Sequence, residues 1–377
     1  MVFDDFGPSD IQITVLNTRS YSQFRGAKEL ETKRINTMHV KSVALMALGA
    51  VMPTTALIRF GCSQLTVTRL DPLVNPGANP SPHLHQIVGG NSFNTSMDPS
   101  NHDLPSLSTC TSCQFKEDLS NYWTAVLFFK ARNGTYKRVP IRGNVGFEGA
   151  NGGMTVYYMQ DGLADFEQRS KVTAFRPGFR MLVGDQGART ADKAEKYRQL
   201  TYTCLQDLYT RYPETKNFPS SPCPAGIMVN ARFPTCWDGE NLDSPNHMDH
   251  VAYPANGTFE SGGPCPSTHP VRIPQLMFET IWDTRQFNNQ SDWPTDGSQP
   301  FVWSMNDETG YGNHGDYVFG WKDDSLQRTM DSACYVNCDT LTTQNMSAQN
   351  DCTIKSAVDE DVDGWLTALP GWSTNSN

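Results

Sequence analysis

Alternation of apolar and polar positions is the main pattern along this chain. Residues 65–74 (LTVTRLDPLV), 154–159 (MTVYYM), 179–183 (FRMLV), 227–233 and 271–282 each read as strands. Residues 122–130 (YWTAVLFFK) and 136–141 read as two more, with Asn133-Gly134 between them as a hairpin signal. Residues 301–305 and 316–321 complete the set. One stretch departs from the period of two: over 190–212, Leu200, Cys204, Leu205 and Leu208 fall at helical spacing and predict the main helix. Short strands punctuated by Gly, Pro and Asn predict a mainly β fold. An antiparallel β-sandwich or jelly roll is expected, with long disulfide-tied loops and one or two short helices. No linker or internal repeat divides the chain, so a single domain is expected over 57–377.

The first 56 residues follow another logic. Met38-His39-Val40-Lys41 is a short basic segment, residues 43–51 (VALMALGAV) are apolar, and small residues follow Pro53. This is the layout of a signal peptide over 38–56. The apolar run is too short to span a bilayer comfortably, although a short membrane anchor is the competing reading. Residues 1–37 lack a clean period and read as a start-site misassignment ahead of Met38.

Charge and cysteine content narrow the function. The net charge is −10, which argues against nucleic acid and against anionic membrane surfaces as partners. It suits a soluble, monomeric, extracellular protein. Ten cysteines, an even number, predict a disulfide framework with every thiol paired. Cys110 and Cys113 (CTSC) are close enough for a local loop, with a redox pair as the alternative. Sequons at Asn94, Asn133, Asn256, Asn289 and Asn345 predict exposed, glycosylated loops.

Candidate chemistry sits in three histidine-bearing stretches: 82–90 (PHLHQIVGG), 236–254 (CWDGENLDSPNHMDHVAYP) and 310–321 (GYGNHGDYVFGW). His83 and His85 are two apart, as are His314 and Asp316, so each pair shares a face of an extended chain. His247 and His250, three apart, come together on a helical turn. Convergence of these five histidines on one cleft makes either a substrate-orienting site or an imidazole–carboxylate metal site; each histidine bonding locally is the bland alternative. Among the acids, Glu279 and Asp316 are the first candidates for catalysis, with Asp243 and Asp249 next. Glycoside hydrolysis needs two carboxylates in unlike environments. Trp237, Tyr253, Asp307 and Tyr311 are the candidate sugar-contacting residues beside them. No GxSxG, HExxH, P-loop or placed GxGxxG occurs. No histidine lies between Val40 and Pro82, which excludes a copper site built on an N-terminal histidine.

The blocks RLDPLVNPG, SPHLHQIVGGNSF, CWDGENLDSPNHMDHVAYP, CPSTHPVRIPQLMFETIWDT and GYGNHGDYVFGW resemble the domain-of-unknown-function family nineteen-ninety-six. The resemblance covers roughly residues 65–330. It implies a secreted protein of fungal type and, because members often adjoin WSC or carbohydrate-binding modules, a polysaccharide or cell-wall glycan as partner. It carries no catalytic residue and no cofactor. The expectation is a secreted polysaccharide hydrolase using paired carboxylates in a His/Trp/Tyr-lined cleft. A non-catalytic wall-binding protein and a metal-dependent enzyme with a His/Asp site are the alternatives.

Overall fold

The computed structural model describes residues 57–159, 171–255, 263–332 and 334–372. The start-site and signal-peptide segments, 1–37 and 38–56, lie outside them. The strand period is realised: the fold is mostly β, every named strand pairing is antiparallel, and the main feature is two facing sheets. The larger sheet runs Leu57–Cys62, Met154–Met159, Gln275–Trp282, Ile227–Arg232, Leu200–Cys204 and Glu214–Thr215, with Ile141–Arg142 also paired to Gln275–Trp282. The smaller runs Thr66–Thr68, His85–Gly89, Asn121–Ala125, His314–Val318 and Arg180–Gly184. Phe60, Val156, Tyr158, Leu276 and Phe278 from the first sheet meet Val88, Tyr122, Met181 and Tyr317 from the second in one buried cluster. The rings of Tyr122 and Phe278 lie edge to face across it at 5.5 Å. This is the expected sandwich.

Because side chains alternate, the outward positions follow directly. On the smaller sheet Val88 and Tyr317 point inward, so His85, Ile87, His314, Asp316 and Val318 point outward. Ile87, Trp123 and Val318 pack there beneath Leu70, Leu73, Phe93 and Met97 of the covering loops. On the larger sheet Leu276 and Phe278 point inward and Glu279 outward.

Three expectations need correction. The helix expected over 190–212 is only Ala191–Glu195, followed by the strand Leu200–Cys204. The Leu200/Cys204 spacing of four is a multiple of the strand period, and Thr201, Tyr202 and Thr203 favour extended backbone. Four short α-helices occur among the described residues rather than one or two. Cys110 and Cys113 do not bond each other: the pairs are Cys62–Cys113, Cys110–Cys352, Cys204–Cys223, Cys236–Cys265 and Cys334–Cys338, with no free cysteine. Cys110 and Cys113 lie on an irregular segment where neighbouring residues bridge to different strands, so their sulfurs diverge. The hairpin expected at Asn133-Gly134 forms as a turn closed by Gly134 N–H donating to the Ala131 carbonyl at 2.8 Å, with Gly134 at φ 83°.

Candidate functional site

The outward face of the smaller sheet carries the densest chemistry. His85 opens one strand and His314 opens another, with Asn121–Ala125 hydrogen-bonded between their strands. His83 precedes His85 by two residues, in a bend just before the strand, and the two rings lie 4.2 Å apart, tilted by 54°. His83 Nε2 lies 3.3 Å from His314 Nε2. One ligating atom from each of His83, His85 and His314 lies within 4.8 Å of the others. Two carboxylates join them. Asp316 Oδ2 is 4.0 Å from His314 Nε2, and Asp71 Oδ2 is 4.0 Å from His85 Nε2. All five residues are buried.

Hydrogen bonding fixes how these groups face one another. His314 Nδ1 is 3.0 Å from the Gly312 carbonyl, which only accepts, so Nδ1 carries the proton and the Nε2 lone pair faces His83. Gly312 is held in turn: its N–H donates to Asp307 Oδ2 at 2.8 Å, while Asp307 Oδ1 accepts from Thr309 N–H and Oγ–H. Asp307 therefore serves as the clamp of the loop that delivers His314. Asp71 Oδ1 accepts from Leu73 and Val74 N–H groups, leaving Oδ2 for the cluster. Among the described residues, neither ring nitrogen of His85 and neither oxygen of Asp316 has a hydrogen-bond partner.

Burial sets the protonation. It pushes the His85 imidazole down to about 3, with the Leu70 backbone acting in the opposite direction. His83 and His314 are also driven below the ordinary histidine value, by burial first and by neighbouring imidazoles second. All three are neutral near pH 7, as metal ligation requires. Burial, and then the charge of Asp71, raises Asp316 well above the usual carboxylate range; burial also raises Asp71. A cation among them reverses both directions.

The donor set fits a metal ion. Tetrahedral Zn–N bonds of 2.0–2.1 Å put neighbouring nitrogens about 3.3 Å apart, which matches the His83–His314 separation. Access is provided by a cleft of about 230 Å³ that reaches Asp71 and His314 and is lined also by Leu182, Asp185, Gln186 and Tyr197. Gly184 faces His314 across the ladder at φ 101°, and a Cβ there would stand 2.3 Å from the Asn313 carbonyl oxygen. Only glycine lets the strand pass so close.

The other candidates lie outside the cluster of five, although the stretch 236–254 borders its cleft through Met248, and His247 is near enough to act on the Asp71 carboxyl. Glu279 points out of the opposite face of the sandwich, where Oε2 accepts from Asn144, Tyr157 and Arg211 at 2.7, 2.7 and 2.9 Å. Two sheets about 10 Å apart separate it from Asp316, with both side chains pointing outward, so these two acids cannot flank one glycosidic bond. The stretch 236–254 lies along the free edge of Arg180–Gly184: Arg180 N–H donates to Leu242 O and Leu182 N–H to His247 O. His247 and His250 do not share a helical turn. His247 adopts φ 57°, and its Nδ1 pairs with Asp243 Oδ1 at 2.7 Å. His250 Nε2 donates to the Arg180 carbonyl at 2.8 Å, and Nδ1 accepts from Ser244 at 3.0 Å, which exhausts its ring. Asp249 is exposed, with its carbonyl accepting from His269. Trp237 is buried, its Nε1–H donating to Asn241 O. Tyr253 donates to Arg232 O. Tyr311 is half-buried, its backbone N–H held by Thr309.

Asp71 is the member that sequence reasoning missed. It stands in an Leu-Asp-Pro turn, and its Oδ1 makes the bonds of an ordinary turn aspartate. No local signal marks its second oxygen as facing histidines.

No curated protein and no solved structure shows a significant match to the chain. The model of one family does match, over residues 71–321, a span that begins at Asp71 and so encloses all five clustered residues. The chain belongs to the family described as Domain of unknown function (DUF1996).

Proposed function

We propose that this protein is a metal-dependent hydrolase acting outside the reducing cytosol, with its centre at His83, His85, His314, Asp71 and Asp316. One observation carries the reading: three imidazoles and two carboxylates converge in a buried site where His85 and Asp316 have no hydrogen-bond partner among the described residues. An unpaired buried carboxylate is costly, and a divalent cation removes that cost. Such a cation also lowers the pKa of a bound water to about 7. Asp316, with both oxygens unengaged, would serve as a cation ligand or as the proton acceptor beside the cation. Asp71, pinned by two backbone N–H groups, presents one oxygen in fixed geometry. Asp185, Gln186 and Tyr197 offer polar and aromatic contacts along the cleft, which suit a glycan substrate. Five disulfides favour an oxidising compartment.

A second reading rests on the shared environment of Asp71 and Asp316. Two carboxylates whose charges oppose each other are the arrangement of a metal-free acid pair. One experiment separates the two. The purified protein is assayed for bound metal and incubated with a polysaccharide panel, with and without chelator. About one metal per chain is expected, lost in His85→Ala, with product formation abolished by chelator. Product that survives chelation favours the acid pair. Binding without product indicates a wall-binding protein, and absence of any metal uptake sinks the metal centre.

A further inference from the structure

A second feature lies far from the histidines in sequence and rests on different residues. The hairpin Leu127–Lys130 to Tyr136–Arg138 continues into the strand Trp365–Leu366, with Phe129 opposite Lys137 and Lys137 opposite Trp365. That register puts Phe129 and Trp365 on one face, and their rings meet edge-on at 6.4 Å. Phe287 stacks on Phe129 at 4.5 Å. These three aromatics line an open groove of about 720 Å³ together with Asn133, Gln286 and Asp292. Trp365 is 56% exposed, a large indole face left to water beside amide and carboxylate groups. Aromatic faces rimmed by such groups suit the apolar C–H face and the hydroxyls of a pyranose.

The occupant is indicated by the groove's own lining. Asn133-Gly134-Thr135 is an N-glycosylation sequon at the hairpin tip. Asn133 is exposed, and its Oδ1 accepts from Thr135 N–H at 3.0 Å and Thr135 Oγ–H at 2.7 Å. No group among the described residues engages its Nδ2. The neighbouring sequon at Asn289 differs: its Oδ1 caps the following turn and its Nδ2 donates to Asp292 at 3.1 Å. The motif alone does not separate the two sites, whereas their hydrogen bonds do. Asn133 sits in the turn four residues beyond Phe129 and lines the same groove as Trp365, so the inner sugars of a glycan reach the indole.

We propose that Asn133 carries an N-linked glycan whose inner sugars lie in this groove against Trp365. The group is transferred from a lipid-diphosphate-linked oligosaccharide. The Asn133 amide nitrogen forms a bond to the anomeric carbon, the bond from that carbon to the diphosphate oxygen breaks, the lipid diphosphate leaves and the amide gives up one proton. The proposal does not depend on the metal centre.

The test uses full-length protein secreted from a eukaryotic host. Glycopeptide mapping should find Asn133 occupied. Enzymatic deglycosylation of an Asn94→Gln/Asn256→Gln/Asn289→Gln/Asn345→Gln background should lower Tm by about 2–4 °C. The same treatment of a Trp365→Ala version should change Tm by less than about 1 °C. The Asn133 glycan of Trp365→Ala should also be more extensively processed, because the groove no longer shields it. An unmodified Asn133, or an equal fall in Tm with and without Trp365, overturns the proposal. So does tight binding of an added oligosaccharide in the groove while Asn133 is occupied.

Discussion

His85 and Asp316 are buried polar side chains that find no hydrogen-bond partner among the described residues, in the cluster that also holds His83 and His314. Their state follows from burial. The unfolded chain protonates His85 near the ordinary 6.5, while the folded chain resists down to about 3. The unfolded state therefore binds the proton first, and the stability associated with neutral His85 is present above pH 6.5 and lost as pH falls through that window. Asp118 works in the opposite sense. Burial raises its carboxyl to about 7, so its contribution is present at low pH and lost as pH rises through 7. The difference between wild type and His85→Asn isolates the histidine. Between pH 6 and 4 wild type should lose about 1.4 kcal/mol per pH unit more than the variant, measured by denaturant titration in chelator. Added Zn²⁺ should stabilise wild type at pH 7 and leave the variant unchanged. Parallel acid limbs in the two proteins would count against a buried neutral His85.

At the scale of elements, the two sheets present unlike chemistry on their outer faces. The strand Gln275–Trp282 points Leu276 and Phe278 into the sandwich core and Glu279 away from it. Glu279 is there the hub of an ion-pair network with Arg211, Asn144 and Tyr157, beside a cavity of only about 10 Å³. A structural hub predicts a clean dissociation of effects. Glu279→Ala should destabilise the fold by about 2–4 kcal/mol, since it strands Arg211 and Asn144, and leave metal stoichiometry unchanged. Calorimetry and metal analysis on the same preparation check this. Loss of metal without loss of stability would contradict the assignment.

At the scale of the molecule, distant segments hold the chain on either side of the histidines. Cys110–Cys352 joins residues 242 apart. The chain beyond it returns along the smaller sheet: Arg69 pairs with Glu360, and Trp372 Nε1–H donates to the Ser304 carbonyl. Gly371 lies against the Pro82 carbonyl, next to His83, and Ser304 Oγ–H donates to the Leu84 carbonyl between the two histidines. Removing the bridge in Cys110→Ala/Cys352→Ala should cost about 2–4 kcal/mol and expose residues 353–372 to limited proteolysis. Metal affinity should fall with it. Unchanged proteolysis of that segment would show that the other contacts suffice.

Much of this was legible locally. The period of two set the strands at 154–159 and 227–232, and with them the sandwich. It also set the same-face pair His314/Asp316, because a strand puts i and i+2 on one side whatever its neighbours are, whereas His83 sits in a bend just before the strand of His85 and is brought to it by the local fold. Ten cysteines announced five bridges but not their partners, since connectivity is a matter of which loops meet. The spacing of four in Leu200/Cys204 served helix and strand equally, and hydrogen bonding to Ile227–Arg232 decided for strand. The convergence of the two pairs required the order in which Asn121–Ala125 separates His85–Gly89 from His314–Val318. The same order of sheets placed Glu279 on the far side of the sandwich and brought Asp71 over the histidines. The sequence by itself determined which side chains share a strand face, because that is fixed by backbone geometry. Only the tertiary structure decided which faces meet, because that depends on long-range pairing and packing between segments more than two hundred residues apart.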